Sequence, residues 1–319
     1  MSREGARRGP DGRFLNPDGG MAGHPLAQVW RMMREGAGTP WPRQVQDPAE
    51  TPPAEPPPGH AAITFIGHAS FLIRIAGGPT LLVDPVWSER CSPLPFLGPR
   101  RARAPGLRLD ALPPLDAVLV SHNHYDHMDI PTLRRLRTPR IVTGLANAPI
   151  LARNGITGAE ELDWWGETTI GAATITYLPA RHFSARGIRD RGRSLWGGFA
   201  VSMAEGAILF AGDTSYGGHL AEIGRELGPF SIGLIPIGAY EPRWFMRSVH
   251  MNPEEAVQAR SDARVHTAIA MHFGTFKLTQ EGIDEPALAL GRARNQAGLA
   301  ADDFIVPRFG QTLILPLRR

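Results

Sequence analysis

Cysteine and long apolar runs are scarce in this sequence, and each shortage excludes a class of protein. The one cysteine, Cys91, excludes an internal disulfide framework and any cysteine-rich zinc site. Any bound metal must therefore be held by histidine and carboxylate side chains. No uncharged apolar run reaches the roughly 18–20 residues that a membrane span needs, and Met1–Gly5 has no apolar core of a signal peptide. We expect a cytoplasmic protein, with peripheral attachment at the inner membrane surface left open.

An excess of charge of one sign is also missing. The chain has 34 lysine and arginine residues against 31 aspartate and glutamate residues, which is a formal net charge of +3, and Lys277 is its only lysine. Nucleic-acid-binding proteins carry a stronger basic excess or a recognisable module, so we expect no nucleic-acid partner. The length of 319 residues allows one large domain or two ordinary ones, and a homodimer is left open.

Residues 1–60 differ in composition from the rest of the chain. They are rich in glycine, proline and arginine, and they end in the proline tract 52–59, which cannot form a helix or a central strand. We expect them to form a distinct N-terminal segment, followed by the main domain over residues 61–319.

One apolar stripe in this segment has helical spacing. Positions i, i+3, i+4 and i+7 are occupied by Leu26, Val29, Trp30 and Met33. The spacing predicts a short amphipathic helix with Arg31 and Arg34 off the apolar stripe. Two uses are left open for it: packing on the domain's own surface, or contact with a membrane interface that brings the arginines to anionic head groups.

From residue 61 onward, short apolar runs alternate with polar turns. The runs at 80–83, 117–120, 207–210 and 268–271 each end close to a histidine or an aspartate. Helices are predicted at 131–137, 146–153, 217–227, 253–263 and 285–297. Strands, intervening helices and polar residues at strand ends predict a layered α/β architecture with an open site along one edge of the sheets.

Six consecutive residues, His122-Asn123-His124-Tyr125-Asp126-His127, carry four candidate metal ligands directly after an apolar run. If a strand continues into them, His122 and His124 point to the same side, because strand side chains alternate with a period of two. Asp126 and His127 follow that pair, where the chain can turn toward a second metal.

Three more candidate ligands follow distant apolar runs, so the set can be divided between two cations. The first cation is assigned His122, His124 and His182. The second cation is assigned Asp126, His127 and His272. Asp213 is predicted to bridge the two cations, since a carboxylate has two oxygens.

These cations determine the expected chemistry. Two Zn²⁺ ions suit a set of histidine and carboxylate ligands, and iron or manganese is left open because ligand type alone does not select the metal. Two cations roughly 3.5–4 Å apart lower the pKa of a shared water and stabilise negative charge on a phosphoryl or acyl group. The ligands therefore predict a metallohydrolase. Asp84, at the end of the run 80–83, is predicted to orient a ligand histidine from outside the metal site.

The same residues resemble the metallo-β-lactamase superfamily, and over residues 61–319 the chain is similar to its N-acyl-phosphatidylethanolamine-hydrolysing phospholipase D family. The order and joint presence of the matching stretches make the resemblance specific. They are Arg13-Phe14-Leu15-Asn16-Pro17, Phe65-Ile66-Gly67-His68-Ala69, Asp84-Pro85, residues 96–101, residues 122–129, Leu195-Trp196-Gly197-Gly198, Phe210-Ala211-Gly212-Asp213-Thr214, residues 238–246, residues 250–256 and His272-Phe273-Gly274-Thr275-Phe276.

The resemblance implies an αββα sandwich with a dinuclear metal site at one edge of the sheets. It implies a dizinc phosphodiesterase of the phospholipase D type, which cleaves N-acyl-phosphatidylethanolamine to phosphatidic acid and an N-acylethanolamine by attack of metal-bound hydroxide. The family's metal ligands coincide with the assignments above, and its further active-site histidine corresponds to His250. Asp126 and His250 are the predicted catalytic residues, with His250 polarising the phosphate or protonating the leaving group.

An aromatic segment and a group of arginines suit an anionic lipid substrate. Arg243, Trp244 and Phe245 are predicted to bind the substrate, with apolar contact for acyl chains and a cation for the phosphate. It is left open whether Trp244 and Phe245 are instead partly buried core. The loop that carries His182 also contains Arg181, Arg186, Arg189, Arg191 and Arg193. These arginines favour anionic substrates if the loop overhangs the metals.

Two other functions are left open. A lactonase resembling ascorbate-6-phosphate lactonase shares the ligand pattern, and a non-catalytic lipid-binding module could use the same scaffold. The intact ligand set argues against the binding module. The long N-terminal segment and the aromatic segment at 243–246 favour the phosphodiesterase over the lactonase.

Overall fold

Two seven-stranded sheets pack face to face, and helices flank them. The computed structural model describes residues 3–21, 26–36, 38–47, 55–136, 140–187 and 189–318. Each sheet is mixed, with antiparallel strands along one part and parallel strands along the other. The predicted αββα sandwich is confirmed by this architecture.

The strands divide evenly between the two sheets. In chain order they are β1 (His60–Gly67), β2 (Ser70–Ile75), β3 (Thr80–Val83), β4 (Ala117–Val120), β5 (Ile141–Gly144), β6 (Glu160–Leu162), β7 (Glu167–Ile170), β8 (Ala173–Leu178), β9 (Gly198–Ser202), β10 (Ala207–Phe210), β11 (Phe230–Pro236), β12 (Val265–Met271), β13 (Phe304–Ile305) and β14 (Thr312–Pro316). The first sheet has the order β14-β1-β2-β3-β4-β5-β6, and the second has the order β13-β12-β11-β10-β9-β8-β7.

The pairing directions bring several strand ends to one edge. In the first sheet β1, β3 and β4 run the same way, because β2 is antiparallel to β1 and β3, and β3 is parallel to β4. In the second sheet β8, β10, β11 and β12 run the same way, because β9 is antiparallel to β8 and β10, and β11 is parallel to both β10 and β12. The predicted metal ligands all follow the C-terminal ends of these strands in the sequence.

Alternating side chains explain the uninterrupted apolar run of β4. Ala117 and Leu119 belong to the main core between the sheets, whereas Val118 and Val120 pack in a second cluster with helical residues such as Leu133. Both faces of this strand are therefore buried, as is usual for parallel strands that helices cover.

Helices occupy most connections between parallel strands, and one further helix precedes β1. In chain order the helices are α1 (Leu26–Arg34), α2 (Ile130–Arg135), α3 (Ala148–Arg153), α4 (Gly218–Leu227), α5 (Arg243–Met246), α6 (Pro253–Asp262) and α7 (Glu285–Gln296). All five helices predicted beyond residue 61 are present, with ends that shift by at most two residues. At α6, Asn252 and Glu255 form a capping box with Pro253 in the first turn. Among the described residues, no helix has the length and apolar character that a membrane span requires.

The N-terminal segment packs on the domain through Phe14. This side chain is 2% exposed and belongs to the main core. Its backbone N–H donates a hydrogen bond of 2.8 Å to the carbonyl oxygen of Gly192. The segment is therefore part of the folded unit at this point.

The predicted helix in this segment is α1, and it contacts the loop that carries α5. The Arg31 guanidinium lies 4.2 Å from the centre of the Trp244 ring, and Trp244 Nε1 donates to Glu35 at 2.9 Å. Trp30 is exposed. For Leu26, Val29 and Met33, the other members of the predicted apolar stripe, the structure describes the helical backbone but not the side chains.

Candidate metal centre

All seven predicted metal ligands come together at the edge where the strand ends meet. Four of them lie in the turn at residues 122–127, after β4 of the first sheet. The other three follow β8, β10 and β12 of the second sheet: His182, Asp213 and His272. All are buried except His124, which is half-buried. Both sheets therefore contribute ligands to one cluster.

A glycine lets the chain turn toward this cluster after β10. Gly212 has a φ of 62°, in the left-handed region that favours glycine. A Cβ atom there would lie 2.3 Å from the carbonyl oxygen of Gly197. The close approach and the backbone angle both require glycine, and together they present Asp213 to the cluster.

Asp213 lies at the middle of the cluster. Its Oδ2 atom is 3.1 Å from His272 Nε2 and 3.2 Å from His127 Nε2. The same oxygen is 3.6 Å from His182 Nε2 and 3.9 Å from His122 Nε2. The first two histidines were assigned to the second cation and the last two to the first. Asp213 therefore lies between the two predicted sites, where a bridging carboxylate must lie.

The ligand atoms form three overlapping groups, and within each group all of them lie within 4.8 Å of one another. The first group is His122, His124, His182 and Asp213. The second group is His68, Asp126, His127 and His272. The third group is Asp213, His250 and His272. The structure thus adds His68 to the residues predicted around the second cation.

Burial keeps the imidazoles of the first group neutral. It lowers the pKa of His124 to about 3 and the pKa of His182 to about 4. Burial and the adjacent His127 hold the pKa of His122 well below its ordinary value. Neutral imidazole is the form that binds metals.

The other half of the cluster favours positive charge. Burial disfavours the charged imidazoles of His127 and His272, but the carboxylates of Asp213 and Asp126 outweigh it. They raise the pKa of His127 well above its ordinary value and the pKa of His272 to about 9. In turn, these imidazoles outweigh the burial of Asp213 and hold its pKa well below the ordinary range.

Outer hydrogen bonds orient two of the ligand histidines. His127 Nδ1 donates to Asp84 Oδ2 at 2.6 Å, and the Ser121 hydroxyl donates to the same oxygen at 2.5 Å. His182 Nδ1 donates to the carbonyl oxygen of Val249 at 2.9 Å. In both histidines the Nε2 atom is left to face the cluster, which is how outer partners prepare imidazoles for metals. Asp84 thus contacts a ligand histidine.

Unpaired atoms in the cluster show that its residues fit a metal. His127 Nε2 and His272 Nε2 lie beside Asp213 Oδ2 but form no well-aligned hydrogen bond, and Asp213 Oδ1 is buried without a partner, whereas buried polar atoms in proteins are nearly always paired. Imidazole nitrogens and carboxylate oxygens are also the donors that zinc and related metals take. The types of donor atom and the lack of well-aligned hydrogen bonds both indicate that the cluster can hold a metal ion.

His250 lies against the cluster. Its ring centre is 4.9 Å from that of His182 and 5.1 Å from that of His272. Its Nδ1 atom is buried without a hydrogen-bond partner, and burial holds the pKa of His250 well below its ordinary value. A neutral imidazole is therefore available beside the ligands.

A cavity of about 280 Å³ opens over the cluster. Its lining includes the polar residues His124, Asp126, His182, Asp213 and His250. It also includes the apolar residues Phe183, Phe245, Met246, Val249 and Leu278. Among the described lining residues Arg191 is the one arginine or lysine, and its guanidinium lies 4.1 Å from the centre of the Phe183 ring.

The three residues predicted to bind substrate have different surroundings. Phe245 lines the cavity. Arg243 forms an ion pair of 2.8 Å with Glu255 and donates to the His250 carbonyl oxygen at 3.0 Å. Trp244 is in contact with α1, and neither it nor Arg243 lines the cavity. Arg243 therefore supports the backbone of His250.

The arginines of the His182 loop also differ from one another in their contacts. Arg181 pairs with Asp18 at 2.9 Å. Arg186 donates to the carbonyl oxygens of Asn123 and Met128, at 2.8 and 2.9 Å. Of the five arginines in this loop, Arg191 is the one that lines the cavity.

Two residues without a predicted role contact the ligands. His68 Nε2 lies 2.8 Å from Asp126 Oδ2, and Asn16 accepts a hydrogen bond of 3.0 Å from the backbone N–H of His182. Each pair is far apart in the sequence, by 58 and 166 residues. No spacing pattern marks such contacts. Their membership in the stretches that resemble the family was the only available signal.

Sequence comparisons agree with this geometry. Residues 80–273 match the family described as the β-lactamase superfamily domain. An uncharacterized protein of Mycobacterium tuberculosis is 39% identical over 70% of this chain, which spans 62% of that protein's length. The N-acyl-phosphatidylethanolamine-hydrolyzing phospholipase D 1 of Caenorhabditis elegans is 40% identical over 70% of this chain and 67% of its own.

A solved structure shares the fold. It is a possible metal-dependent hydrolase from Veillonella parvula, with a TM-score of 0.64 and 17% identity, over 79% of this chain and 98% of its own. The matched family, the homologues and the cluster of His and Asp ligands lead to one conclusion. The chain belongs to the metallo-β-lactamase superfamily.

Proposed function

We propose that this protein is a dizinc phosphodiesterase that cleaves N-acyl-phosphatidylethanolamine-type phospholipids to phosphatidic acid and N-acylethanolamine. The observation that carries the proposal is the cavity, whose described lining combines predicted metal ligands, five apolar side chains and one cation, Arg191. A phospholipid has corresponding parts, because its anionic phosphodiester adjoins apolar acyl chains. The name of the homologue from C. elegans supports the same substrate class.

Some residues of the site would hold the cations, and others would position the substrate. His122, His124 and His182 would hold one cation, Asp126, His127 and His272 the other, and Asp213 both. Cations bound there would activate water and stabilise negative charge on the phosphoryl group. Phe183, Phe245 and Met246 exclude water from one side of the cavity and contact the acyl chain. Arg191 attracts the phosphate by its charge.

His250 is the residue proposed to polarise the phosphate. It lines the same cavity as the ligands and is neutral, so it can donate a hydrogen bond to a phosphoryl oxygen. The Arg243 contact to its carbonyl oxygen fixes the loop from which it acts.

The test uses the full chain loaded with Zn²⁺ and N-acyl-phosphatidylethanolamine in mixed micelles. We expect equal amounts of N-acylethanolamine and phosphatidic acid, measured by mass spectrometry. The His122→Ala variant, prepared in the same way, controls for contaminating lipases. Sugar lactones and bis-p-nitrophenyl phosphate form the comparison panel. Fully metal-loaded protein that opens lactones and releases no N-acylethanolamine would instead identify a lactonase, and inactivity on every substrate would support a binding module.

Replacing Arg191 tests how the cavity recognises the phosphate. Arg191→Gln should raise KM for the anionic phospholipid by roughly tenfold or more, since a charge-assisted hydrogen bond contributes about 1.5–3 kcal/mol. Arg193→Gln, which removes an exposed arginine of the same loop, is the matched control. Equal KM values for the wild type and Arg191→Gln would show that Arg191 does not bind the phosphate.

A further inference from the structure

His68 belongs to the second ligand group, yet the metal assignment does not use it. It follows β1 directly, in the turn to β2, and is 2% exposed. Its φ of 57° lies in the left-handed region. A residue other than glycine keeps that conformation only where the surrounding structure holds it.

Two contacts hold His68, and each is made to a predicted ligand. Its Nε2 atom lies 2.8 Å from Asp126 Oδ2. Its carbonyl oxygen accepts a hydrogen bond of 2.7 Å from the backbone N–H of His272, and the two rings are 4.1 Å apart. Asp126 follows β4 of the first sheet, and His272 follows β12 of the second. His68 therefore connects ligands that come from different sheets.

The carboxylate oxygen that His68 contacts is the one that faces the cluster. Asp126 Oδ2 is also 3.5 Å from His272 Nε2 and 3.6 Å from His127 Nε2. An aspartate side chain in a turn can rotate away from such a position unless an outer hydrogen bond fixes it. The hydrogen bond from His68 Nε2–H supplies that constraint.

We propose that His68 is a positioning residue for the second metal site, where its Nε2–H directs the Asp126 carboxylate toward the cluster while its backbone holds His272. The inference rests on the dinuclear site of the proposed function. It concerns metal binding alone, so it can be tested without any substrate.

The experiment measures Zn²⁺ affinity by competition with a chromophoric chelator, using metal-stripped full chain and its His68→Ala and His68→Gln variants. We expect the wild type to bind two equivalents of Zn²⁺. His68→Ala should bind the first equivalent normally and the second roughly 10–100-fold more weakly, which is the usual loss of metal affinity when an outer hydrogen-bond partner of a ligand is removed. His68→Gln should stay near the wild type, because its amide nitrogen donates from about the same position. His60→Ala, at the opposite end of β1, is the matched control.

Three results would overturn the role of His68. Unchanged affinity for both equivalents in His68→Ala would show that Asp126 needs no such partner. Equal weakening in His68→Gln and His68→Ala would identify a direct metal ligand instead. A wild-type protein that binds only one equivalent of Zn²⁺ would show that the second metal site does not exist.

If circular dichroism shows that His68→Ala does not fold, His68→Phe replaces it, since phenylalanine keeps an aromatic ring and lacks the N–H donor. Metal affinity remains decisive even if no phospholipid is hydrolysed, which would contradict the proposed function alone.

Discussion

At the scale of single residues, Asp213 has the most central position in the site. Four imidazole nitrogens, from both predicted metal sites, lie within 3.9 Å of its Oδ2 atom. No other predicted ligand is placed between the two groups in this way. Its loss should therefore affect both cations, whereas loss of any one histidine should affect mainly one.

Asp213→Ala should lower the affinity for both metal equivalents and abolish most of the activity. The loss should exceed the roughly 10–100-fold that removal of an outer partner causes. Metal content after dialysis and the rate of hydrolysis check this, with Asp110→Ala, which removes an exposed carboxylate that is not among the candidate ligands, as the control. Near-normal metal content and rate in Asp213→Ala would contradict the bridging role.

His250 differs from the ligands because its proposed role is chemical. His250→Ala should keep full metal content and lower kcat by roughly 10²-fold or more, the usual effect of removing one hydrogen-bond donor to a developing oxyanion. Metal analysis and kcat are measured on the same sample, with the exposed His266→Ala as control. Unchanged turnover would mean that His250 only packs against the cluster.

At the scale of elements, the N-terminal segment supports the metal centre through a backbone contact. Phe14 fixes the segment in the core, and two residues later Asn16, itself 5% exposed, accepts the hydrogen bond of the His182 N–H. The element therefore contributes to the position of a ligand that lies 166 residues away.

Asn16→Ala should leave the buried His182 N–H without a partner. Such an unsatisfied group destabilises a protein by about 1–3 kcal/mol, and we expect that decrease in the free energy of unfolding by urea denaturation. Affinity for the first metal equivalent should fall as well. Asn16→Asp retains an oxygen acceptor and serves as the matched variant. Wild-type stability and metal affinity in Asn16→Ala would show that the segment does not support His182.

At the scale of the whole molecule, the ligands join the two sheets at one edge. Four ligands follow a strand of the first sheet and three follow strands of the second. A metal bound between them should bind the folded state more tightly than the unfolded chain, because only folding brings the three predicted ligands of the second sheet to the four at residues 122–127. Metal binding should therefore stabilise the sandwich as a unit.

Removing the metal should lower the melting temperature. Free metal at 100 times its Kd stabilises a protein by about 2.7 kcal/mol, and each kcal/mol shifts Tm by roughly 2–4 °C in domains of 150–250 residues. We expect a decrease on the order of 5–10 °C in calorimetry after chelation, which added Zn²⁺ reverses. The Asp213→Ala variant should show almost no change on chelation. An unchanged Tm in the wild type would contradict metal binding between the sheets.

The sequence by itself determined the elements and the chemical type of the site. Short apolar runs such as Ala117–Val120 and the capping residues at Asn252–Glu255 are local properties, so strands and helices could be predicted from them. The spacing within His122–His127 is local too, and four ligands in six residues indicate a metal site before any fold is known. The remaining ligands, including Asp213, could be chosen because each closely follows an apolar strand.

Only the tertiary structure decided which side chains line the cavity over the cluster and which support the predicted ligands. Arg243 precedes Phe245 by two residues, yet it pairs with Glu255 while Phe245 lines the cavity. The contacts of His68 with Asp126 and of Asn16 with His182 likewise join distant parts of the chain. Such contacts depend on how the two sheets and the N-terminal segment pack, and the periodicity of a single strand or helix carries no information about that packing.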